Sequence, residues 1–238
     1  MQMPHHNMPS MALVSLDQVT HTPIRSGNWS DATIWGAGGP PGAGARVHIP
    51  AGIDVTVDTI LADEFKTVRV DGTLSFATDV NTQLKVDTLV STMTGHLVMG
   101  TQENPIQTGV TASIEFADDG VINQTWDPSL VSRGALLHGK TTIHGAEKTG
   151  FIGVDGGFAA GTSAVTLATL PTGWAVGDEL VIAGTDPSDP ASDETVTIRE
   201  ITTGPSGVMI AFSTPLVRDH LAPRADLDVH IANMTRNV

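Results

Sequence analysis

The sequence has no cysteine and few charged residues. Without cysteine there is no disulfide framework, no thiolate metal site and no cysteine nucleophile. Charged residues make up only 16% of the 238 residues, below the usual quarter, while 40% are apolar. The chain therefore has enough apolar side chains to form a core, and it is neither a disordered protein nor a charge-rich helical one.

Basic residues are the scarcest charged type. The 12 lysines and arginines are scattered among 26 acidic residues, which gives a formal net charge of −14. Proteins bind nucleic acid through clustered lysine and arginine side chains that neutralise phosphates. We therefore expect no nucleic-acid partner.

Long apolar runs and the common catalytic motifs are also missing. No stretch approaches the ~20 apolar residues that cross a bilayer, so no membrane span is predicted. The amino terminus lacks the basic segment and the apolar core of a readable signal peptide. No metalloprotease, α/β-hydrolase or nucleotide-binding motif is present, so the sequence assigns no catalytic residue.

The sequence does contain a regular pattern of short strands and turns. From Arg46 onward apolar and polar residues alternate, which is typical of strands with one buried face. Gly52, Gly72 and Gly95 lie 20 and 23 residues apart, and each precedes a similar strand. Repeats of this length predict an all-β chain that forms a right-handed parallel β-helix, or β-solenoid, with an irregular amino-terminal arm. A β-sandwich is the alternative, because closely spaced turns also suit that fold.

The same pattern divides the chain into four segments. They are the arm at residues 1–24, a first β segment at 25–145, a glycine-rich loop at 146–164 and a second β segment at 165–238. We expect the last segment to continue the solenoid and to be truncated, because a solenoid that ends in a strand leaves an open edge.

No cofactor and no metal site are expected from the sequence. The acidic stretch Asp186–Glu194 could hold calcium, but its spacing does not match the EF-hand loop and two prolines interrupt it. A solvated loop is the simpler interpretation.

Several phrases are distinctive in their content and order. They are Gly27-Asn28-Trp29-Ser30-Asp31, Ile34-Trp35-Gly36, Pro40-Pro41-Gly42-Ala43-Gly44, Val47-His48-Ile49-Pro50-Ala51-Gly52 and Val70-Asp71-Gly72-Thr73-Leu74. This order resembles the eight-glycine domain family over roughly residues 25–145. Further on, Gly173–Ala183 and Ala232–Val238 resemble phrases of the hyaluronan-binding cell-migration-inducing proteins and the transmembrane hyaluronidase.

The resemblance implies an extracellular or cell-surface protein that binds or processes a glycosaminoglycan-like polysaccharide such as hyaluronan. A short loop stands where the animal proteins carry a separate lectin-like domain, so the chain is more similar to shorter bacterial relatives.

In the family a long β-helix follows, and this chain ends where that helix would begin. Enzymatic activity is therefore left open, because a hyaluronidase-like catalytic region would lie outside this chain. A structural or adhesive cap-and-spacer module without catalysis is the alternative function. The oligomeric state is not indicated.

Five residues form the predicted ligand-binding site: Trp126, Asp127, Arg133, His138 and His144. Sugar sites combine carboxylates and histidines with an aromatic ring, and Trp126 would supply that ring. The competing interpretation is that Trp126 packs inside the protein and that the histidines lie on a solvated face.

Overall fold

Short strands dominate the protein, as the alternating pattern predicts. A computed structural model describes residues 9–118, 120–189 and 191–238. It contains 40% strand and 7% helix, which confirms the all-β prediction. The helices that it describes are short, and none has the length and apolar character needed to cross a bilayer.

The chain forms two units. The first comprises the chain up to Gly145 together with Asn237 and Val238, and the second comprises Ala146–Arg236. The helices, all in the first unit, are α1 (Pro9–Leu13) and two 3-10 segments, Leu16–Gln18 and Ala32–Gly38. The first unit's strands are β1 (Gly27–Asn28), β2 (Arg46–Ile49), β3 (Asp54–Val57), β4 (Ile60–Val70), β5 (Thr73–Phe76), β6 (Thr82–Ser91), β7 (His96–Met99), β8 (Ala112–Phe116), β9 (Gly134–Leu137) and β10 (Lys140–Ile143).

These strands form two parallel sheets. Sheet I has the order β2-β4-β6-β8, and β9 also pairs with β6. Sheet II has the order β1-β3-β5-β7-β10. Up to β8 the chain alternates between the two sheets, so neighbours within a sheet are separated by one strand of the other. Strand β9 then follows β8 in sheet I before the chain returns to sheet II at β10. Side chains from both sheets form one buried cluster, in which Val55, Val68 and Leu89 are fully buried.

The described part of the amino-terminal arm, residues 9–24, packs on sheet I. Leu13 and Val14 form a small buried cluster with Val90 of β6. The Arg69 guanidinium donates a hydrogen bond to the Val14 carbonyl oxygen at 3.3 Å, and His21 bridges to Val47 in parallel. The arm therefore covers part of the outer face of sheet I.

Turns that lead from sheet I to sheet II stack directly on one another. A Cβ at Gly72 would overlap the carbonyl oxygens of Pro50 and Ile53, and a Cβ at Gly95 would overlap the Val70 carbonyl oxygen. A Cβ at Gly139 would in turn overlap the carbonyl oxygen of Gly95. The glycine repeat in the sequence thus arises from close backbone packing between successive turns.

The second unit is built differently. Its strands are β11 (Phe151–Val154), β12 (Gly157–Phe158), β13 (Ala164–Leu167), β14 (Glu179–Ile182), β15 (Glu194–Gly204), β16 (Gly207–Phe212), β17 (His220–Leu221) and β18 (Val229–Asn233). A six-stranded sheet III has the order β11-β18-β14-β15-β16-β13, and β12 pairs with β17. The described pairings in this unit are antiparallel.

The prediction of a right-handed parallel β-helix, or solenoid, is therefore wrong. Parallel and antiparallel sheets occur together, and no sheet is closed or solenoid-like. Residues 165–238 do not continue a solenoid, and 146–164, expected to be a loop, contain β11 and β12. A sandwich of antiparallel sheets does not describe the first unit either. Alternation shows which face of a strand is buried, but it does not show whether neighbouring strands pair in parallel or antiparallel. The connections between strands determine that direction, and a tight hairpin such as Gly204–Gly207 makes it antiparallel.

The stacked turns allow a sharp stability test. We expect Gly95→Ala to lower the free energy of unfolding by about 3 kcal/mol, because the new methyl group must displace backbone of the preceding turn. Gly134→Ala is the matched control, since a Cβ there meets no heavy atom within 4 Å. Urea unfolding of both variants checks this, and equal effects would contradict the packing explanation.

Candidate functional site

Trp126 does not form an exposed platform. Its ring is half-buried and packs against the Leu13, Val14 and Val90 cluster. The Lys66 ammonium lies 4.5 Å from the ring centroid, and the Arg46 guanidinium carbon lies 5.5 Å from it. These cation–π contacts occupy the surface that a sugar ring would need.

Next to Trp126, Lys66 pairs with a buried carboxylate, a contact that the sequence does not suggest. Lys66 Nζ is 2.7 Å from Asp87 Oδ2, and the Asp87 side chain is 1% exposed. The Thr88 hydroxyl donates a 2.6 Å hydrogen bond to the other Asp87 oxygen. Strict alternation breaks at this point of β4 and β6, and the parallel register brings Lys66 beside Asp87, 21 residues away.

Asp127 and Arg133 organise the loop between β8 and β9. Burial raises the pKa of the Asp127 carboxyl, but hydrogen bonds from Ser132, Val131 and Ser129 outweigh it and lower the pKa overall. Arg133 donates to the carbonyl oxygens of Gly120 and Val121, and its main-chain N–H donates to the Thr88 hydroxyl at 3.1 Å. Both side chains are thus used to hold their own loop.

The two histidines have other partners. His138 Nε2 is 3.0 Å from the Ser10 hydroxyl of α1. The backbone of His144 pairs with Met99 and Ile106, and its side chain is exposed. No hydrogen bond, ion pair or ring contact between described residues connects either histidine side chain with Trp126, Asp127 or Arg133. Contacts of these kinds therefore do not join the five predicted residues, and their grouping into one ligand site stays a prediction.

The acidic stretch forms a set of turns. Asp186 and Asp189 accept hydrogen bonds from the backbone N–H groups of Ser188 and Ala191, and Arg218 pairs with Asp189. Within the described ranges, no group of three or more histidine or carboxylate side chains is placed to hold a metal ion.

A groove on the outer face of sheet II is the better candidate site. Its volume is about 540 Å³, and its floor comes from adjacent positions Thr56, Ser75 and Val98 on β3, β5 and β7. The loops after β5 and β7 form the walls. Their polar side chains are those of Thr78, Asp79, Thr101, Asn104 and Gln107.

Several polar groups of the groove are available to a ligand. The Thr56 and Ser75 hydroxyls lie 2.8 Å apart, and Thr78 donates to the Asn104 side-chain oxygen at 3.3 Å. This leaves the Asn104 side-chain NH₂ and the Asp79 carboxylate without a hydrogen-bond partner among the described residues. Asp79 is the one charged residue of the lining. A wall with hydroxyl, amide and carboxylate groups suits an uncharged ligand that carries many hydroxyl groups.

In the second unit, Asp178 connects the two segments Gly173–Ala183 and Ala232–Val238, which were noted in the sequence. Its Oδ2 accepts hydrogen bonds from Lys148 and Asn233, each at 2.7 Å, and from the Ala175 N–H at 3.0 Å. Burial raises the pKa of Asp178, but these donors outweigh it and lower the pKa overall. The Trp174 indole N–H donates to the Thr149 carbonyl oxygen at 2.7 Å. These residues therefore have structural roles.

His220 is the most deeply buried titratable side chain of this unit. Its Nδ1 is 2.9 Å from the Ala183 carbonyl oxygen, and its Nε2 is 3.1 Å from a Glu194 oxygen. Burial raises the pKa of Glu194, but hydrogen bonds from the Val217 N–H, from His220 and from the Arg218 N–H lower it overall. Contacts at both ring nitrogens therefore fix the orientation of the fully buried His220 ring.

The first unit is thus an all-β module of two parallel sheets with a polar groove on one face. A family model for the G8 domain, the eight-glycine domain, matches residues 34–152, which is half of the chain. The protein belongs to the G8 domain family. No curated protein and no solved structure matches the chain.

The Asp178 network predicts a pH-dependent stability. The folded pKa lies below the unfolded value of about 3.9, so the stabilisation is complete above that pH and is lost as the pH falls through the folded pKa. We expect Asp178→Asn to cost about 3 kcal/mol at pH 7, because Lys148 loses its buried partner. The difference between variant and parent should shrink below pH 4. Urea unfolding from pH 7 to pH 2.5 checks this, and a constant difference would contradict it.

Proposed function

We propose that this protein is an extracellular carbohydrate-binding module and that the groove on sheet II holds the polysaccharide. Membership of the G8 domain family supports the general class. The proposal rests on two polar groups along one concave face, the Asp79 carboxylate and the Asn104 side-chain NH₂, which have no hydrogen-bond partner among the described residues.

The charge of the groove favours a neutral polysaccharide over a glycosaminoglycan. Hyaluronan carries carboxylates, while the groove presents Asp79 and no cation, on a chain of net charge −14. Like charges repel such a ligand at low ionic strength. Asp79 can instead accept hydrogen bonds from sugar hydroxyls, which is a favourable charge-assisted interaction.

The proposal is binding without hydrolysis in this groove. Most glycoside hydrolases use two carboxyl groups on either side of the scissile bond. The groove lining contains only one, Asp79. A hyaluronidase-like reaction would require groups beyond this lining.

Titration calorimetry tests the proposal. Neutral polysaccharides (a β-glucan, a galactomannan and a xylan) and hyaluronan are titrated into the protein with and without calcium. We expect saturable binding of at least one neutral polysaccharide. Asp79→Ala and Asn104→Ala should each weaken it about tenfold, or about 1.4 kcal/mol. Asp63→Ala, an exposed carboxylate outside the groove, is the control and should have no effect.

Other outcomes distinguish the alternatives. Loss of binding in His138→Ala, with no effect at Asp79 or Asn104, would place the ligand at the cluster suggested by the sequence. Binding heat with hyaluronan and with none of the neutral polysaccharides would contradict the proposal that the ligand is neutral. The second candidate function is a structural or adhesive module, and the internal use of Trp126, Asp127 and Arg133 favours it. No heat with any polysaccharide would support that role.

A further inference from the structure

Side chains on the outer face of sheet II form a row that crosses its strands. Main-chain pairing aligns one residue from each of the five strands, namely Asn28, Thr56, Ser75, Val98 and Thr142. All of them are exposed or partly exposed, whereas the residues that precede them on β3, β5 and β7 are buried in the core. These five aligned residues are called the outer row below.

The groove lies over the middle of the outer row. The three central residues form its floor, and the row continues beyond the lining to Asn28 on one side and Thr142 on the other. Because β5 and β7 are parallel, the loops that follow them lie on the same side of the row, and they carry Asp79 and Asn104. A ligand that lies along the row therefore passes both of these wall residues.

The spacing of the outer row matches that of an extended sugar chain. Neighbouring strands lie about 4.8 Å apart, so the row offers a contact at each such step. In an extended β-1,4-linked glycan, successive sugar rings are separated by nearly the same distance, because both bonds of the linkage are equatorial and the chain is straight. Glucans with α-1,4 or β-1,3 linkages coil instead, so their rings turn away from a straight row.

The side chains of the outer row suit the polar edge and the apolar face of a sugar ring. The amide of Asn28 and the hydroxyls of Ser75 and Thr142 both donate and accept hydrogen bonds, as sugar hydroxyls do. Val98 is the apolar member of the row and packs against ring CH groups. The Thr142 hydroxyl lies 2.9 Å from His96 Nε2, a contact that fixes its side chain.

We propose that sheet II binds a neutral, extended β-1,4-linked glycan that crosses the strands, with about one sugar ring per strand. Asp79 and Asn104 bind the rings that lie within the groove, and Asn28 and Thr142 contact rings beyond it. The inference rests on the proposed function of the groove, and it adds the linkage of the ligand and the direction in which the chain lies.

Charged side chains beside the outer row also favour a neutral chain. They include Asp54 and Lys140, which the register places in a neighbouring row with Thr73 and His96, and Asp79 of the wall. Two carboxylates and one ammonium group do not form the cationic strip that a polyanion requires.

Titration calorimetry with oligosaccharides of defined linkage tests the proposal. Cellohexaose, maltohexaose and laminarihexaose contain only glucose and differ in linkage, while mannohexaose and xylohexaose share the β-1,4 linkage of cellohexaose. We expect at least one β-1,4-linked hexasaccharide to bind, and neither maltohexaose nor laminarihexaose to match it. It should bind roughly tenfold more tightly than its own trisaccharide, because it also reaches the ends of the row.

Two variants outside the groove separate the row from the groove itself. Thr142→Val and Asn28→Ala should each weaken the hexasaccharide about fivefold, the effect of one hydrogen bond, and leave the trisaccharide unchanged. Thr141→Val is the matched control, because Thr141 is the next residue of β10 and pairs with the core residue Leu97, so its side chain lies on the opposite face. Circular dichroism checks that each variant is folded.

The outcomes distinguish this inference from the function on which it rests. Equal binding of maltohexaose or laminarihexaose, or equal effects of the two threonine variants, would overturn the path across the strands. Trisaccharide binding that Asp79→Ala weakens, without any gain for the hexasaccharide, would keep the groove and contradict the row. No binding of any saccharide would contradict the proposed function of the groove as well.

Discussion

The close approach of successive turns is the constraint on which the first unit depends. Gly72, Gly95 and Gly139 each lie against carbonyl oxygens of the turn before, with no space for a side chain. Parallel strands in register lie about 4.8 Å apart, so the turns that join them must approach to the same distance. Any wider turn would pull sheets I and II out of register.

This register determines which polar side chains meet. On the outer face of sheet II it aligns Thr56, Ser75 and Val98 into the floor of the groove. In sheet I the same spacing places Lys66 beside Asp87, next to the ring of Trp126. In the groove, Asp79 is exposed, so its polar atoms are available to solvent or to a ligand. In sheet I, Asp87 is buried, so its carboxylate bonds only within the protein.

The second unit stabilises its sheet through buried polar contacts of another kind. Asp178 connects the start of β14 to Asn233 at the end of β18, and Glu194 holds His220. Buried charges of this type are costly unless each finds a partner, and these carboxylates find two or more donors. The buried polar residues of this unit are therefore explained by their contribution to its stability.

Much of the local structure follows from the sequence. The alternation of Val47, Ile49, Val55 and Val57 predicts strands with one buried face, and all four side chains are at most 1% exposed. The ordered phrases around Trp29 and Gly52 also indicated the G8 domain family. These features are local, because a period of two depends only on the backbone of one strand.

The tertiary structure alone decided the direction of pairing and the position of the site. Main-chain hydrogen-bonding groups are alike in every residue, so alternation cannot distinguish the parallel sheets I and II from the antiparallel sheet III. The partners Lys66 and Asp87, like the groove residues Thr56 and Asn104, are distant in sequence. They meet only because the connections between strands set the register, and that register is a property of the whole folded chain.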